Sequence, residues 1–149
     1  MTIHEDGTNA ITGAPAKGQI KGWRRLRDAL GYSRLGLLAA YRHEEAFRQE
    51  CWLAACLTVL ACVLPISPYE RLALIVSLLI VLIVELLNSA VEAVTDRVSR
   101  DLHELAGRAK DMGSAAVLLS LVLCIMVWSV VLAKLWFPPE SVLRLLKFL

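Results

Sequence analysis

Three long apolar runs constrain the fold of this chain more than any other feature. They cover residues 51–67, 72–87 and 114–137, and an α-helix needs ~20 mostly apolar residues to cross a bilayer. Of the 149 residues, 57% are hydrophobic, and the mean hydropathy is +0.58, which is high for a water-soluble domain. The sequence therefore predicts an all-α membrane protein with three transmembrane helices and no separate soluble domain.

The ends of the three spans are indicated by the residues around the apolar runs. The first run is slightly short, so its helix is expected to begin within the preceding "EEAFRQE" and to end before Pro65 and Pro68, because proline lacks the backbone donor of a helix interior. The second helix is expected to continue through Arg97, followed by a polar link over residues 100–113. Trp128 and Trp136 are expected at the outer interface of the third helix, where aromatic side chains are enriched.

Composition divides the chain into three regions. Residues 1–22 lack apolar periodicity and are expected to form a disordered tail, residues 23–137 to form the membrane domain, and residues 138–149 to form a C-terminal tail. From Trp23 onward, apolar residues recur at spacings near 3.6 among basic residues. This pattern predicts an amphipathic helix on the membrane surface, interrupted near Gly31.

Basic residues indicate how the chain is oriented. They are concentrated before the first apolar run and between the second and third runs, whereas the link between the first two runs carries only Arg71. The positive-inside rule therefore places the N-terminus and the second link in the cytoplasm. The net charge of only +2 gives no indication of a nucleic-acid partner.

Four polar side chains follow one another along the second helix. Glu85, Asn88, Glu92 and Asp96 are separated by three, four and four residues, so a helix places them on one face. This stripe begins inside the apolar zone and runs toward the cytoplasm. An acidic residue within a membrane span indicates a functional site. The structural alternatives are a Glu85 that extends its carboxylate to the membrane surface and a protonated Glu85 that is hydrogen-bonded between helices.

The stripe suits phosphoryl transfer at the membrane surface. Apolar surroundings disfavour the charged form of Glu85, which suits a general base for a hydroxyl group. Glu92 lies nearer water and would remain ionised, so it could hold a hard cation such as Mg²⁺, which in turn would neutralise a polyphosphate. No Walker A or GxGxxG motif is present, which argues against a nucleotide site of the soluble type.

The segments "ELLNSAVEAVTDR" and "HELAGRAKDMGSAAVLLS" resemble the prokaryotic diacylglycerol kinase family, and the likeness extends over residues 23–137. The resemblance implies a homotrimer of three-span subunits in the bacterial inner membrane, with active sites shared between neighbouring subunits near the cytoplasmic face. It also implies transfer of the γ-phosphoryl group of ATP to the hydroxyl of diacylglycerol, which gives phosphatidic acid for phospholipid recycling.

The resemblance also implies roles for individual residues. Glu85 matches the catalytic base and Asn88 the residue beside it, while Glu44 and Glu92 match the carboxylates that bind Mg²⁺ with ATP. Ser114 and Glu85 match contacts to the lipid substrate. The positions that match nucleotide contacts are Arg25, Tyr32, Glu44, Glu92, Asp101, Leu102, His103, Lys110 and Asp111.

The chain departs from the family pattern at a few positions that concern nucleotide packing. His43 stands where asparagine is usual, Leu38 where arginine is common, and Asp101 with Leu102 in place of a Glu-Tyr pair. Three other functions are kept as alternatives. They are an undecaprenol kinase of the same fold, a small proton-coupled transporter that uses Glu85, and a structural membrane subunit.

Overall fold

The computed structural model describes residues 22–98 and 104–136. Within these ranges the chain forms four helices and no strand, and α2, α3 and α4 are each long and apolar enough to cross a membrane. The all-α architecture with three candidate spans is therefore confirmed. The predicted tails lie outside the described residues, except for Gly22. The helices are α1 (Gly22–His43), α2 (Glu45–Val63), α3 (Pro68–Val98) and α4 (Glu104–Trp136).

The chain divides into two compact units, Met1–Arg34 and Leu35–Leu149. The described part of the first unit is the start of α1, where Trp23, Leu26 and Leu30 are exposed. The helix is continuous through Gly31, so the predicted interruption was wrong. A single glycine costs a helix ~1 kcal/mol, which the flanking helix-forming residues outweigh.

Proline and a capping box set the boundary between α2 and α3. α2 ends at Val63, before Pro65, and α3 begins at Pro68, where the missing N–H of proline costs nothing. The backbone N–H of Ser67 donates to Glu70 Oε2 at 2.8 Å, and the N–H of Glu70 donates to Ser67 Oγ at 3.3 Å. These reciprocal bonds satisfy two donors that a helix start leaves open.

Helix α4 begins before the third apolar run. Residues 100–113 were expected to form a polar link, but α4 is helical from Glu104, and residues 99–103 lie outside the described part of the chain. Apart from Gly107 and Asp111, the segment "ELAGRAKDM" consists of strong helix formers, and their propensity adds polar turns before the apolar part of α4.

The core of the second unit lies between α2, α3 and α4. α4 packs mainly against α3, and α2 also packs against α3. Trp128 lies in this core and not on the outer surface of the helices, so the prediction for it was wrong. Trp136 is exposed, and its interfacial position stays a prediction. Large apolar side chains elsewhere on the spans face outward, as lipid-facing helices require. The buried core residues are Ala61, Leu74, Leu78, Val81, Cys124, Trp128 and Val131.

Candidate active site

α3 presents the predicted polar stripe with decreasing burial along its length. Glu85 is only 6% exposed, Asn88 and Glu92 are half-buried, and the Asp96 side chain is exposed. The gradient arises because the first half of α3 packs between its neighbours, whereas its last turns extend beyond the core. The stripe therefore connects a buried carboxylate with a water-accessible one on a single helix.

The Glu85 carboxylate has no hydrogen-bond or ion-pair partner among residues 22–98 and 104–136. It interacts electrostatically with the carboxylates of Glu92 and Glu44, and Glu50 in turn interacts with Glu85. Like charges repel one another strongly in a region of low dielectric, so a positive charge placed among these carboxylates would relieve their repulsion.

Asn88 links the middle of the stripe to its outer part. Its Nδ2 donates to Glu92 Oε1 at 3.1 Å, which fixes the orientation of the Glu92 carboxylate. Its Oδ1 is buried and has no hydrogen-bond partner among the described residues. A buried acceptor without a partner is costly, so this amide is arranged for something other than stability.

α4 supplies a positive charge at the outer end of the stripe. Lys110 Nζ lies 2.5 Å from Asp96 Oδ1. The neighbouring Asp111 is exposed, as is Ser114 one turn further along. Lys110 thus follows the carboxylates of α3 in space, where it could interact with phosphate groups held by them.

Glu44 is the residue between α1 and α2, and it is half-buried. Its backbone is extended, with φ −105° and ψ 116°, and its side chain does not cap α2, so the carboxylate is free for other ligands. Arg25 and Tyr32 belong to the first unit and are exposed on α1. The other predicted nucleotide contacts, Asp101, Leu102 and His103, lie outside the described residues.

The carboxylates suit a hard divalent cation only together with other ligands. Glu44 and Glu92 offer the oxygen donors that Mg²⁺ prefers. In the described ranges, however, no three His, Cys, Asp or Glu residues converge closely enough to hold a metal ion. A cation at this site would therefore take further oxygen ligands from water or from a substrate's phosphates.

A groove of about 370 Å³ lies between α2, α3 and α4. Its lining is almost entirely apolar and includes Leu57, Leu78 and Trp128, with Glu50 as its charged residue. Glu50 Oε2 and Trp128 Nε1 are buried there without hydrogen-bond partners among the described residues. Such a groove fits an apolar chain with a polar group at one end.

Sequence reasoning did not identify Glu50 as part of this site. The rule that identified Glu85 concerns acidic residues within a span, and Glu50 directly precedes the first apolar run, so the rule did not select it. The segment that contains Glu50 was interpreted only as the start of the first membrane helix. Its place in the groove follows from the packing of α2 on α3.

Comparison with known proteins identifies a family whose members are similar to this chain. The family model for prokaryotic diacylglycerol kinase matches residues 31–132. The diacylglycerol kinase of Escherichia coli K12 is 49% identical over 111 residues, which cover 74% of this chain and 91% of the relative. The Pseudomonas aeruginosa diacylglycerol kinase is 48% identical over 119 residues, covering 80% and 96%, and that of Haemophilus influenzae is 45% identical over 111 residues, covering 74% and 94%.

Proposed function

Because this chain belongs to the prokaryotic diacylglycerol kinase family, we propose that it is a membrane kinase that phosphorylates diacylglycerol with ATP and releases phosphatidic acid. The observation that carries this proposal is the buried Glu85 carboxylate, which has no partner among the described residues and lies one turn from the Asn88–Glu92 hydrogen bond. A base, an orienting amide and an acidic ligand thus follow one another on α3.

The proposed reaction is a direct in-line transfer. Glu85 accepts the proton of the lipid hydroxyl, and the hydroxyl oxygen forms a bond to the γ-phosphorus of ATP. The bond between that phosphorus and the bridging β–γ oxygen breaks, and ADP leaves with the electron pair. Most of the catalysis comes from positioning and electrostatic stabilisation, as is usual for phosphoryl transfer.

Glu44 and Glu92 would bind ATP together with its divalent cation, for which we propose Mg²⁺. The cation would neutralise charge on the β- and γ-phosphates. Asn88 holds Glu92 in orientation through the 3.1 Å hydrogen bond. Lys110 would offset charge on the transferred phosphoryl group once it leaves Asp96. We propose further nucleotide contacts from Arg25, Tyr32, Asp101, Leu102, His103 and Asp111.

The groove between the spans is proposed to hold the lipid. Its apolar lining suits an acyl chain, and Glu50 would lie near the polar glycerol part. Because Glu50 and Glu85 interact electrostatically, the groove adjoins the proposed base. Ser114 is proposed to contact the lipid from α4.

We propose a homotrimer in the bacterial inner membrane, with the site and the N-terminus on the cytoplasmic side and with residues 23–137 sufficient for activity. The basic residues before α2 and between α3 and α4 support this orientation. The many exposed apolar side chains on the spans leave room for contacts between subunits as well as with lipid. A site assembled between subunits would also explain why no three metal-ligating side chains converge among the described residues.

The decisive experiment is a phosphorylation assay of the purified full chain in mixed micelles with Mg²⁺ and ATP. Diacylglycerol and undecaprenol are supplied separately, and wild type is compared with Glu85→Gln. We expect phosphatidic acid from wild type and almost none from the variant. A strong preference for undecaprenol would assign the acceptor to the alternative kinase.

Two other functions predict different results. A proton-coupled transporter would phosphorylate no lipid in the micelle assay, and in a separate vesicle experiment it would move a solute across the membrane without consuming ATP. A structural subunit would show no activity that responds to Glu85→Gln. Phosphorylation of lipid that requires Glu85 excludes both functions as sufficient descriptions of the protein.

A further inference from the structure

Gly113 of α4 lies against the side chain of Asn88 on α3. A Cβ atom added at Gly113 would overlap Asn88 Oδ1, and it would lie 3.3 Å from Asn88 Cγ. The other described glycines have no atom within 4 Å of such a Cβ, including Gly107 on the same helix. Gly113 has an ordinary helical conformation, so the reason for glycine here is space for Asn88.

The atom in that space is one end of a rigid planar amide. The other end of the amide donates to Glu92. Because Oδ1 and Nδ2 move together, a side chain at position 113 that displaces Oδ1 must also displace Nδ2. The hydrogen bond that orients Glu92 would then be lost or lengthened.

We propose that Gly113 is a positioning residue, whose missing side chain holds the Asn88 amide where it can orient Glu92. This inference rests on the proposed function for the meaning of Asn88 and Glu92. Gly113 does not touch the reacting atoms itself, and its effect passes entirely through Asn88.

Simple helix packing is the competing explanation, because glycine allows two helices to approach closely. The two explanations predict different costs. The nearest atom is the end of a short, rotatable side chain, while the Asn88 backbone Cα is 3.9 Å away. Rotation of Asn88 would therefore relieve the overlap with little loss of stability, but with loss of the catalytic arrangement.

The test is a double-mutant cycle on the full chain in mixed micelles with Mg²⁺, ATP and diacylglycerol. It uses Gly113→Ala, Asn88→Ala and the double variant, with Gly107→Ala as the matched control on α4. We expect Gly113→Ala and Asn88→Ala each to lower kcat on the order of 10- to 100-fold, since small misplacements in an active site have effects of this size. We expect the double variant to be no slower than Asn88→Ala, and Gly107→Ala to remain within twofold of wild type.

Two readouts separate positioning from packing. The Mg²⁺ concentration for half-maximal activity should rise in Gly113→Ala, because Glu92 loses its orienting bond, and the Tm in micelles should not fall. The side-chain ¹⁵N amide resonance of Asn88, assigned by its loss in Asn88→Ala, should shift in Gly113→Ala and stay in place in Gly107→Ala.

Several outcomes overturn the inference. They are full activity of Gly113→Ala, an unmoved Asn88 resonance, multiplicative losses in the double variant, or unfolding of Gly113→Ala, which would mark a packing residue. Loss of activity in Asn88→Ala with full activity in Gly113→Ala would leave the proposed function intact. Full activity in Asn88→Ala would instead contradict the proposed role of Asn88, and with it this inference.

Discussion

Two glutamates of α3, Glu70 in its first turn and Glu85 near its middle, have very different surroundings. Glu70, in the first turn, accepts hydrogen bonds from the Ser67 backbone at 2.8 Å and from Lys134 Nζ at 2.6 Å. Glu85 is more deeply buried and has no such partner among the described residues. The first glutamate ties α3 to α4 and to its own helix start, whereas the second contributes nothing comparable to the fold.

This difference distinguishes a charged residue that stabilises the fold from one that remains available for function. A buried charge without partners is expensive, and a fold removes that cost by pairing the charge. Near Glu70 the neighbouring polar group is also satisfied, because Arg71 donates to the carbonyls of Ala61 and Leu64. Near Glu85, Glu50 Oε2 and Asn88 Oδ1 are both left without partners. The paired groups lie at the start of α3 and the unsatisfied groups near its middle, so this criterion favours the middle of α3 as the substrate-binding region.

The largest expected effect comes from Glu85→Gln. The substitution preserves shape but removes the base, so kcat for diacylglycerol phosphorylation should fall roughly 10³-fold, within the range of general-base catalysis. The measurement is the mixed-micelle assay, and Glu70→Gln, in the first turn of α3, is the matched control. Equal losses in both variants would erase the distinction between the two glutamates.

The next largest effect concerns the proposed cation ligands. Glu92→Gln should raise the Mg²⁺ concentration for half-maximal activity and lower kcat ~10- to 100-fold, because a neutral amide binds a hard cation less well than a carboxylate. Glu44→Gln should act in the same direction. The control is Glu45→Gln, since Glu45 is exposed and bonds to Gln49. An unchanged Mg²⁺ dependence in both Glu44 and Glu92 variants would exclude them as ligands.

A smaller effect is expected from filling the groove. Leu57→Trp places a larger side chain in the groove lining, so the KM for diacylglycerol should rise ~10-fold, as expected for the loss of ~1.4 kcal/mol of binding free energy. Leu60→Trp is the control, because Leu60 is exposed on the same helix. The KM for ATP should not change in either variant. If the KM for ATP rises together with the KM for diacylglycerol, filling the groove does not affect lipid binding alone.

The smallest effect belongs to the paired end of α3. Loss of the Glu70–Lys134 contact in Lys134→Gln should lower the Tm in micelles by a few degrees, as expected for an exposed ion pair, and should leave kcat within twofold. Glu70→Gln should lower the Tm further, because it also weakens the capping box with Ser67. A kcat that falls with the Tm in Lys134→Gln would show that this end also serves catalysis.

The helices and the stripe could be predicted from the sequence because both depend on local periodicity. Apolar runs gave the spans, and the spacing of Glu85, Asn88 and Glu92 gave their shared face. The burial of Trp128 and the position of Glu50 depend on how α2 and α4 pack on α3, which periodicity does not encode. The space that Asn88 requires at Gly113 is a contact between residues far apart in sequence. Roles such as that of Glu44 came only from the family resemblance.

The length of α3 sets the depths in the membrane at which the two substrates would bind. At 1.5 Å per residue its 31 residues extend ~46 Å, longer than a hydrocarbon core of ~30 Å. About 26 Å of helix separates Pro68 from Glu85, and about 36 Å separates Pro68 from Glu92. With Pro68 at the edge of the hydrocarbon, the base remains just inside the bilayer and the cation ligand lies beyond it. Insertion of one residue between them would turn Glu92 by 100° away from Glu85. The relative position of the lipid and the nucleotide therefore depends on a single unbroken helix.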